Sequence, residues 1–287
     1  MLALTLTLLA SATPGRVFVT PAQAADMIGD GAITIDARLS SSAPYLPNAR
    51  TLLWFMLRDG LGRTGRLAET AKLEEALREI GVEADQPLLV YGEADRGWGE
   101  EARIWWTLAY LGHRNARILD GGIQAWRAAG LRTWDDVADT KEGSFRARVE
   151  KKLRADHERV LAAVRGHDAQ VLDARTQEEY DGATPYLSYR GGHVPGARRL
   201  EWRQLLDDRG RVLPRERLER LFTKFGLSRK EPVIAYCTGG VRSAFVIAAL
   251  VEAGFEDTMN YDGSWWDWAS RTELPVSRMP APRVAPR

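Results

Sequence analysis

Four blocks of this 287-residue chain occur twice, in the same order. Ile33-Thr-Ile-Asp36-Ala-Arg38 returns as Gln170-Val-Leu-Asp173-Ala-Arg175, and Tyr45-Leu-Pro47-Asn-Ala49-Arg50 returns as His193-Val-Pro195-Gly-Ala197-Arg198. Leu88-Leu-Val-Tyr91 returns as Val233-Ile-Ala-Tyr236. Leu119-Asp120-Gly121 with Trp126 returns as Tyr261-Asp262-Gly263 with Trp268, at the same internal spacing. A duplicated chain of this length fits two similar domains. Spacings differ only between the blocks, where loop insertions are tolerated.

Within each repeat, short apolar β-branched runs alternate with longer amphipathic stretches. In the first half, residues 33–35, 88–90 and 117–119 read as buried strands. Residues 67–80 and 101–111 read as helices stopped by Gly81 and Gly112. Such alternation predicts an α/β fold in which each domain is a mostly parallel sheet flanked by helices. The expected layout is a first domain over 17–132, a polar linker over 133–148, a second domain over 149–276 and a flexible Pro/Arg-rich tail over 277–287.

Composition excludes more than it selects. The 40 basic residues against 39 acidic ones leave a net charge of +1, so no global electrostatic footprint for nucleic acid exists. A single cysteine rules out an internal disulfide and a Cys-rich zinc site. The four histidines, His113, His157, His167 and His193, lack paired ligand spacing, so neither a metal nor another cofactor is expected. Residues 2–10 are apolar and Ala10-Ser11-Ala12 has small-x-small character. The stretch is too short to span a bilayer as a helix. A signal peptide over 1–12 would make the protein exported or periplasmic, although no basic residue precedes the apolar run. A cytoplasmic protein with an N-terminal extension is the alternative.

The only cysteine, Cys237, directly follows the apolar run 233–236 and precedes Thr238-Gly239-Gly240-Val241-Arg242. An apolar helical pattern opens at Ser243. The end of a buried strand meeting a helix start is where reactive groups gather in open α/β sheets. Glycines let the backbone curl so that its N–H groups face the sulfur, and these donors with the helix dipole stabilise an anion. Arg242 adds a full charge. Together they favour thiolate over thiol. A merely packed cysteine would have no use for the Gly-Gly-x-Arg that follows.

Tyr236-Cys-Thr-Gly-Gly-Val-Arg-Ser243 resembles the active-site loop of rhodanese-type sulfurtransferases. Gly192-His193-Val-Pro195-Gly196-Ala197 and Asp262-Gly263-Ser264-Trp265 resemble two further motifs of the tandem enzymes, and the similarity runs from about Val17 to Val276. The resemblance implies two rhodanese domains, of which the second alone is catalytic. Cys237 would carry sulfur as a persulfide, and Thr238, Gly239, Gly240, Val241 and Arg242 would cradle the anion. The first half has Gly92 opposite Cys237, followed by Glu93-Ala-Asp95, so it can only shape a wall of the cleft. The loop is one residue shorter than the related phosphatase loop, which disfavours phosphatase activity.

Tandem thiosulfate and mercaptopyruvate enzymes often carry a clamp arginine where this chain has Glu179. Arg242, and with it Arg190 in Tyr189-Arg-Gly-Gly, would then bind the donor. Thiosulfate is favoured over 3-mercaptopyruvate, and a carboxylate facing the cleft would repel the latter more. The expected partners are a small-molecule sulfur donor and a thiophilic acceptor such as cyanide or a thiol. The alternative is a carrier relaying sulfur to a protein. Asp173 and Arg175 recur as Asp36 and Arg38 and read as a structural ion pair. His193 aligns with Tyr45 and is not expected to act through its imidazole. Trp265 and Trp266 read as packing or as a wall of the cleft.

Overall fold

The strands of this fold are apolar on both faces, because each is covered on both sides. In the computed structural model, which describes residues 16–40, 42–94 and 96–278, five of the six four-residue strands are buried at every position and the sixth at three of four. The first domain runs β1 (Phe18–Val19), α1 (Pro21–Gly29), β2 (Ile33–Asp36), β3 (Ala49–Thr51), α2 (Thr70–Glu79), β4 (Leu88–Tyr91), α3 (Glu100–Tyr110), β5 (Ala116–Leu119) and α4 (Gly122–Ala128). The second runs β6 (Arg154–Ala155), α5 (His157–Gly166), β7 (Gln170–Asp173), α6 (Gln177–Asp181), β8 (Arg198–Arg199), α7 (Arg215–Lys224), β9 (Val233–Tyr236), α8 (Arg242–Glu252), β10 (Thr258–Tyr261) and α9 (Ser264–Ser270).

Each domain has one five-stranded sheet, ordered β1-β5-β4-β2-β3 in the first and β6-β10-β9-β7-β8 in the second. Substituting each strand by its repeat partner turns one order into the other. Every ladder is parallel, so both sheets are parallel throughout. The conserved chain path follows from the repeated blocks. Asp36 and Arg38, and likewise Asp173 and Arg175, form a forked ion pair at the end of β2 and of β7, each with a shortest contact of 2.6 Å. Gly81 (φ +73°) and Gly112 (φ +88°) take the left-handed turn past α2 and α3.

One expectation is corrected, and two connecting segments gain detail. The helix predicted from residue 67 starts at Thr70, because Leu67 is held extended: its N–H donates to Asp262 Oδ2 at 2.8 Å and its backbone bridges Arg58. The segment 133–148, expected as a polar linker, is held by contacts to the first domain. Trp134 bridges Tyr45, Ala138 N–H donates to Ala49 O, and Phe145 is buried, so the segment is laid along the first domain. Of the tail expected over 277–287 only Ser277 and Arg278 are described, and Ser277 exchanges both backbone hydrogen bonds with His193 at 2.9 Å; residues 279–287 lie outside the described residues. The suggested signal peptide over 1–12 lies outside the described residues. Among the described residues, no helix is long and apolar enough to cross a membrane.

The domains meet across α3 and α8, which pack against one another. A hydrogen bond of the same kind crosses in each direction. Asp262 Oδ2 accepts from Leu67 N, and Asp120 Oδ1 accepts from Val212 N, both at 2.8 Å.

Candidate active site

Cys237 sits where β9 ends and the loop to α8 begins, with 1% of its surface exposed. Gly240 N–H donates to its Sγ at 3.2 Å, and the Ser243 hydroxyl lies 3.7 Å away. Burial raises a thiol pKa, but here the Arg242 charge and the N–H groups of Ser243 and Gly239 outweigh it, and the pKa falls below its ordinary value. The arrangement therefore favours the thiolate over the thiol, and the thiolate is a nucleophile and a group able to carry a second sulfur.

The loop is built to present those donors. Gly240 has φ +80°, and a Cβ there would lie 2.4 Å from Arg103 Nη1 and 2.5 Å from Asp262 O. Only glycine fits, on both conformation and space. The Gly240 carbonyl accepts from Arg103 Nη1 and from Asn260 Nδ2, each at 3.1 Å, which fixes the loop from behind. Ser264 anchors its start, accepting Cys237 N–H at 3.0 Å while its hydroxyl donates to Tyr261 O. Ser264 holds φ +54°, a strained conformation for a side-chain-bearing residue. The first domain has Gly122 (φ +55°) at this point, and has no cysteine to hold.

Arg242 opens α8 and is not a free cation. Its Nη1 donates to Glu179 Oε2 at 2.7 Å, and its Nη2 donates to Glu179 Oε1 at 2.8 Å and to Thr238 Oγ1 at 2.6 Å. The Thr238 hydroxyl donates a hydrogen bond to Glu179 Oε1 at 2.7 Å. Although burial acts to raise it, the Glu179 carboxyl is held down to about 2 by Arg242 and Thr238. The expectation that Glu179 faces the cleft is thus corrected: it lies behind the loop as Arg242's counter-ion. Its place follows from local structure, because Thr176 and Glu179 form a capping box at the start of α6.

Arg190 is corrected too. Its guanidinium donates to four backbone carbonyls, of Trp268, Ala269, Arg271 and Leu274, so it staples the end of the second domain and does not reach the cysteine. His193 stacks on Tyr180 with centroids 3.6 Å apart and places Nδ1 2.9 Å from Tyr180 O. It also stays away from the sulfur. Trp265 is buried beside Tyr236 and Arg175. Trp266 covers Gly239, where a Cβ would come within 2.5 Å of the indole.

Above Cys237 opens a cavity of about 180 Å³ between the two domains. Cys237, Thr238, Gly239, Val241, Arg242, Tyr186 and Trp266 line it from the second domain; Leu39, Trp54, Trp98 and Glu100 line it from the first. Trp98 and Tyr186 meet edge to face across the cleft, with centroids 5.5 Å apart. Both rings lie against the Arg242 guanidinium, 5.4 and 5.8 Å from its carbon. In the first domain the place of the cysteine is filled differently. A Cβ on Gly92 would fall 2.1 Å from Glu101 Oε2. The Glu101 carboxyl, fully buried next to Glu100, is pushed up to about 8. That half has no nucleophile and no room for one.

Sequence reasoning missed Arg103, Asn260, Trp98, Glu100 and Tyr186. Arg103 had a signal, being a charge on the buried stretch between Ala102 and Ile104. Trp98 and Tyr186 had none, since they sit in loops brought together only by domain docking.

The Rhodanese-like domain family matches residues 20–129 and again 156–271. A putative thiosulfate sulfurtransferase, SseB of Mycobacterium tuberculosis, is 33% identical over 285 residues, covering 92% of this chain and 98% of the relative. The 3-mercaptopyruvate sulfurtransferase of Escherichia coli is 32% identical over 203 residues, covering 70% of this chain and 71% of the relative. Among solved structures, the crystal structure of SseA from Escherichia coli, described as a 3-mercaptopyruvate sulfotransferase, superposes with a TM-score of 0.79 at 28% identity, covering 88% of this chain and 99% of that one.

Proposed function

The chain belongs to the rhodanese family, with two rhodanese-like domains in tandem, and on that premise we propose that it is a sulfurtransferase working through a persulfide on Cys237. The observation that carries this reading is the donor-lined cysteine: Sγ faces the Gly240 N–H at 3.2 Å, and the loop donors with Arg242 lower its pKa in spite of burial. In the first half-reaction the thiolate attacks the outer sulfur of thiosulfate. The new S–S bond forms as the donor's S–S bond breaks, and sulfite leaves with the electron pair. In the second, a thiophilic acceptor attacks the outer sulfur of the persulfide, and the Cys237 thiolate leaves. No external oxidant or reductant is needed.

Thiosulfate is the donor we favour, although relatives carry both substrate names. The loop's positive field is confined to the sulfur end of the cavity, where the N–H groups and Arg242 lie. Thiosulfate keeps its charge next to the transferred sulfur, inside that field. 3-Mercaptopyruvate carries its carboxylate at the far end of the molecule, beside Leu39, the tryptophans and Glu100, and Arg242 has already given both terminal nitrogens to Glu179. Steady-state kinetics with both donors should give the higher kcat/KM for thiosulfate. A preference for 3-mercaptopyruvate would reassign the donor and leave the persulfide chemistry standing.

A further inference from the structure

Three tryptophans and a tyrosine, two from each domain, surround the mouth of a site that needs to handle only a single sulfur atom. Trp54 and Trp98 face Trp266 and Tyr186 across the cavity above Cys237. That is far more aromatic surface than sulfite or cyanide can use. The charges nearby do not call for an anion in this outer part. Arg242 is engaged by Glu179 at the sulfur end, and Glu100, whose Oε2 accepts Trp98 N–H at 2.7 Å, adds a carboxylate to the wall. The volume, about 180 Å³, compares with the roughly 150 Å³ of an apolar protein cavity that takes up benzene. One six-membered ring fits, with room for a short arm to the sulfur.

We propose that the sulfur acceptor is an uncharged thiol carrying a single aromatic ring, seated between Trp98, Tyr186, Trp54 and Trp266 with its sulfur directed at Cys237. This proposal rests on the sulfur-transfer reading and adds the class of acceptor to it. The acceptor's sulfur attacks the outer sulfur of the Cys237 persulfide. The Cys237 S–S bond breaks, the cysteine leaves as thiolate, and the acceptor's proton ends on the new terminal sulfur. The product is the persulfide of the aromatic thiol.

The test isolates the second half-reaction. Cys237 is loaded with thiosulfate, freed of excess donor, and mixed with phenylmethanethiol, glutathione, 2-aminoethanethiol or cyanide. Loss of the added sulfur is followed by mass, with thiols compared at equal thiolate concentration. Phenylmethanethiol should react about tenfold faster than glutathione, the factor expected from stacking one ring on aromatic walls. In the Trp98→Ala/Tyr186→Ala variant the ratio of phenylmethanethiol to cyanide rates should fall by about the same factor. Equal or faster reaction of glutathione or 2-aminoethanethiol would overturn the proposal, as would a ratio unmoved by the double substitution. Failure to load Cys237 from either thiosulfate or 3-mercaptopyruvate would instead refute the sulfur-transfer reading, so the two failures are distinct.

Discussion

Glu179 takes both terminal nitrogens of Arg242, so the field at Cys237 is that of an ion pair and not of a bare cation. Glu179→Gln should therefore lower the pH midpoint of Cys237 alkylation by iodoacetamide, because the arginine charge would no longer be offset. Glu179→Gln with Arg242→Met should raise it above wild type, since the cation is then gone as well. If both variants shift the midpoint the same way, the electrostatic account of the thiolate is wrong. The pair also ties stability to pH. The Glu179 carboxyl falls from 4.5 in the unfolded chain to about 2 in the folded one, and its side chain is almost wholly buried. Stability from this source is present above pH 4.5 and is lost as pH drops towards 2, by roughly 3 kcal/mol. Urea unfolding between pH 5 and pH 2.5 should show the loss, and Glu179→Gln should flatten it. The capping-box spacing Thr176-x-x-Glu179 was legible in the sequence. Its use against Arg242 was not, because a carboxylate's partner in space is set by how α6 docks on the loop. Arg190 misled for the same reason: a charge beside two glycines reads as a ligand clamp until four carbonyls are found around it.

At the level of elements, α3 and α8 are repeat partners whose fourth positions do opposite things. Arg103 on α3 reaches into the second domain and donates to Gly240 O and Gly65 O. Phe245 on α8 points back at the first domain, 3.1 Å from where a Cβ on Gly99 would stand. The inert loop receives a phenyl ring, and the loop holding the cysteine receives a buried cation. Burial pushes the Arg103 pKa down, to about 10, so it stays charged at neutral pH. Arg103→Met should leave the cavity lining intact yet raise the Cys237 alkylation midpoint and cut kcat/KM for thiosulfate. Losing one charged hydrogen bond of about 1.5–3 kcal/mol corresponds to roughly ten- to a hundredfold. Arg103→Lys should recover part of both effects. An unchanged midpoint with reduced activity would mean that Arg103 only supports the fold. The strands and the loop containing Cys237 could be read directly, because buried parallel strands are continuous apolar runs and the runs recur. Elements defined by contact with the other domain could not: periodicity marks a buried face without saying what covers it.

The whole molecule is held by two aspartates in equivalent places with unequal surroundings. Asp262 accepts from Leu67 N and from Arg154 Nε at 3.0 Å, so its charge is paired. Asp120 accepts from Val212 N, but burial raises its carboxyl from 3.8 to about 6. A folded pKa above the unfolded one means that stability falls as pH rises through that window, by up to roughly 3 kcal/mol. Asp120→Asn keeps an acceptor for Val212 and removes the charge. It should raise Tm at pH 7.5, with the gain fading by pH 4. Asp262→Asn should lower Tm at both pH values, because it unpairs Arg154. Equal responses from the two substitutions would contradict this asymmetry between the halves. The same asymmetry leaves the cysteine in one domain, with the other supplying Trp54, Trp98 and Glu100 to the cavity wall and Arg103 to the back of the loop.

With only one cysteine in 287 residues, the central claim comes down to one measurement, the intact mass of the protein after exposure to thiosulfate and removal of excess reagent. Wild type should gain one sulfur atom, lose it on addition of cyanide with formation of thiocyanate, and regain it on a second exposure. Cys237→Ser, with the same circular dichroism spectrum, should gain nothing and form no thiocyanate. Thiocyanate formation at a wild-type rate by the serine variant, or a wild-type protein whose mass changes with neither thiosulfate nor 3-mercaptopyruvate, would contradict the Cys237 persulfide.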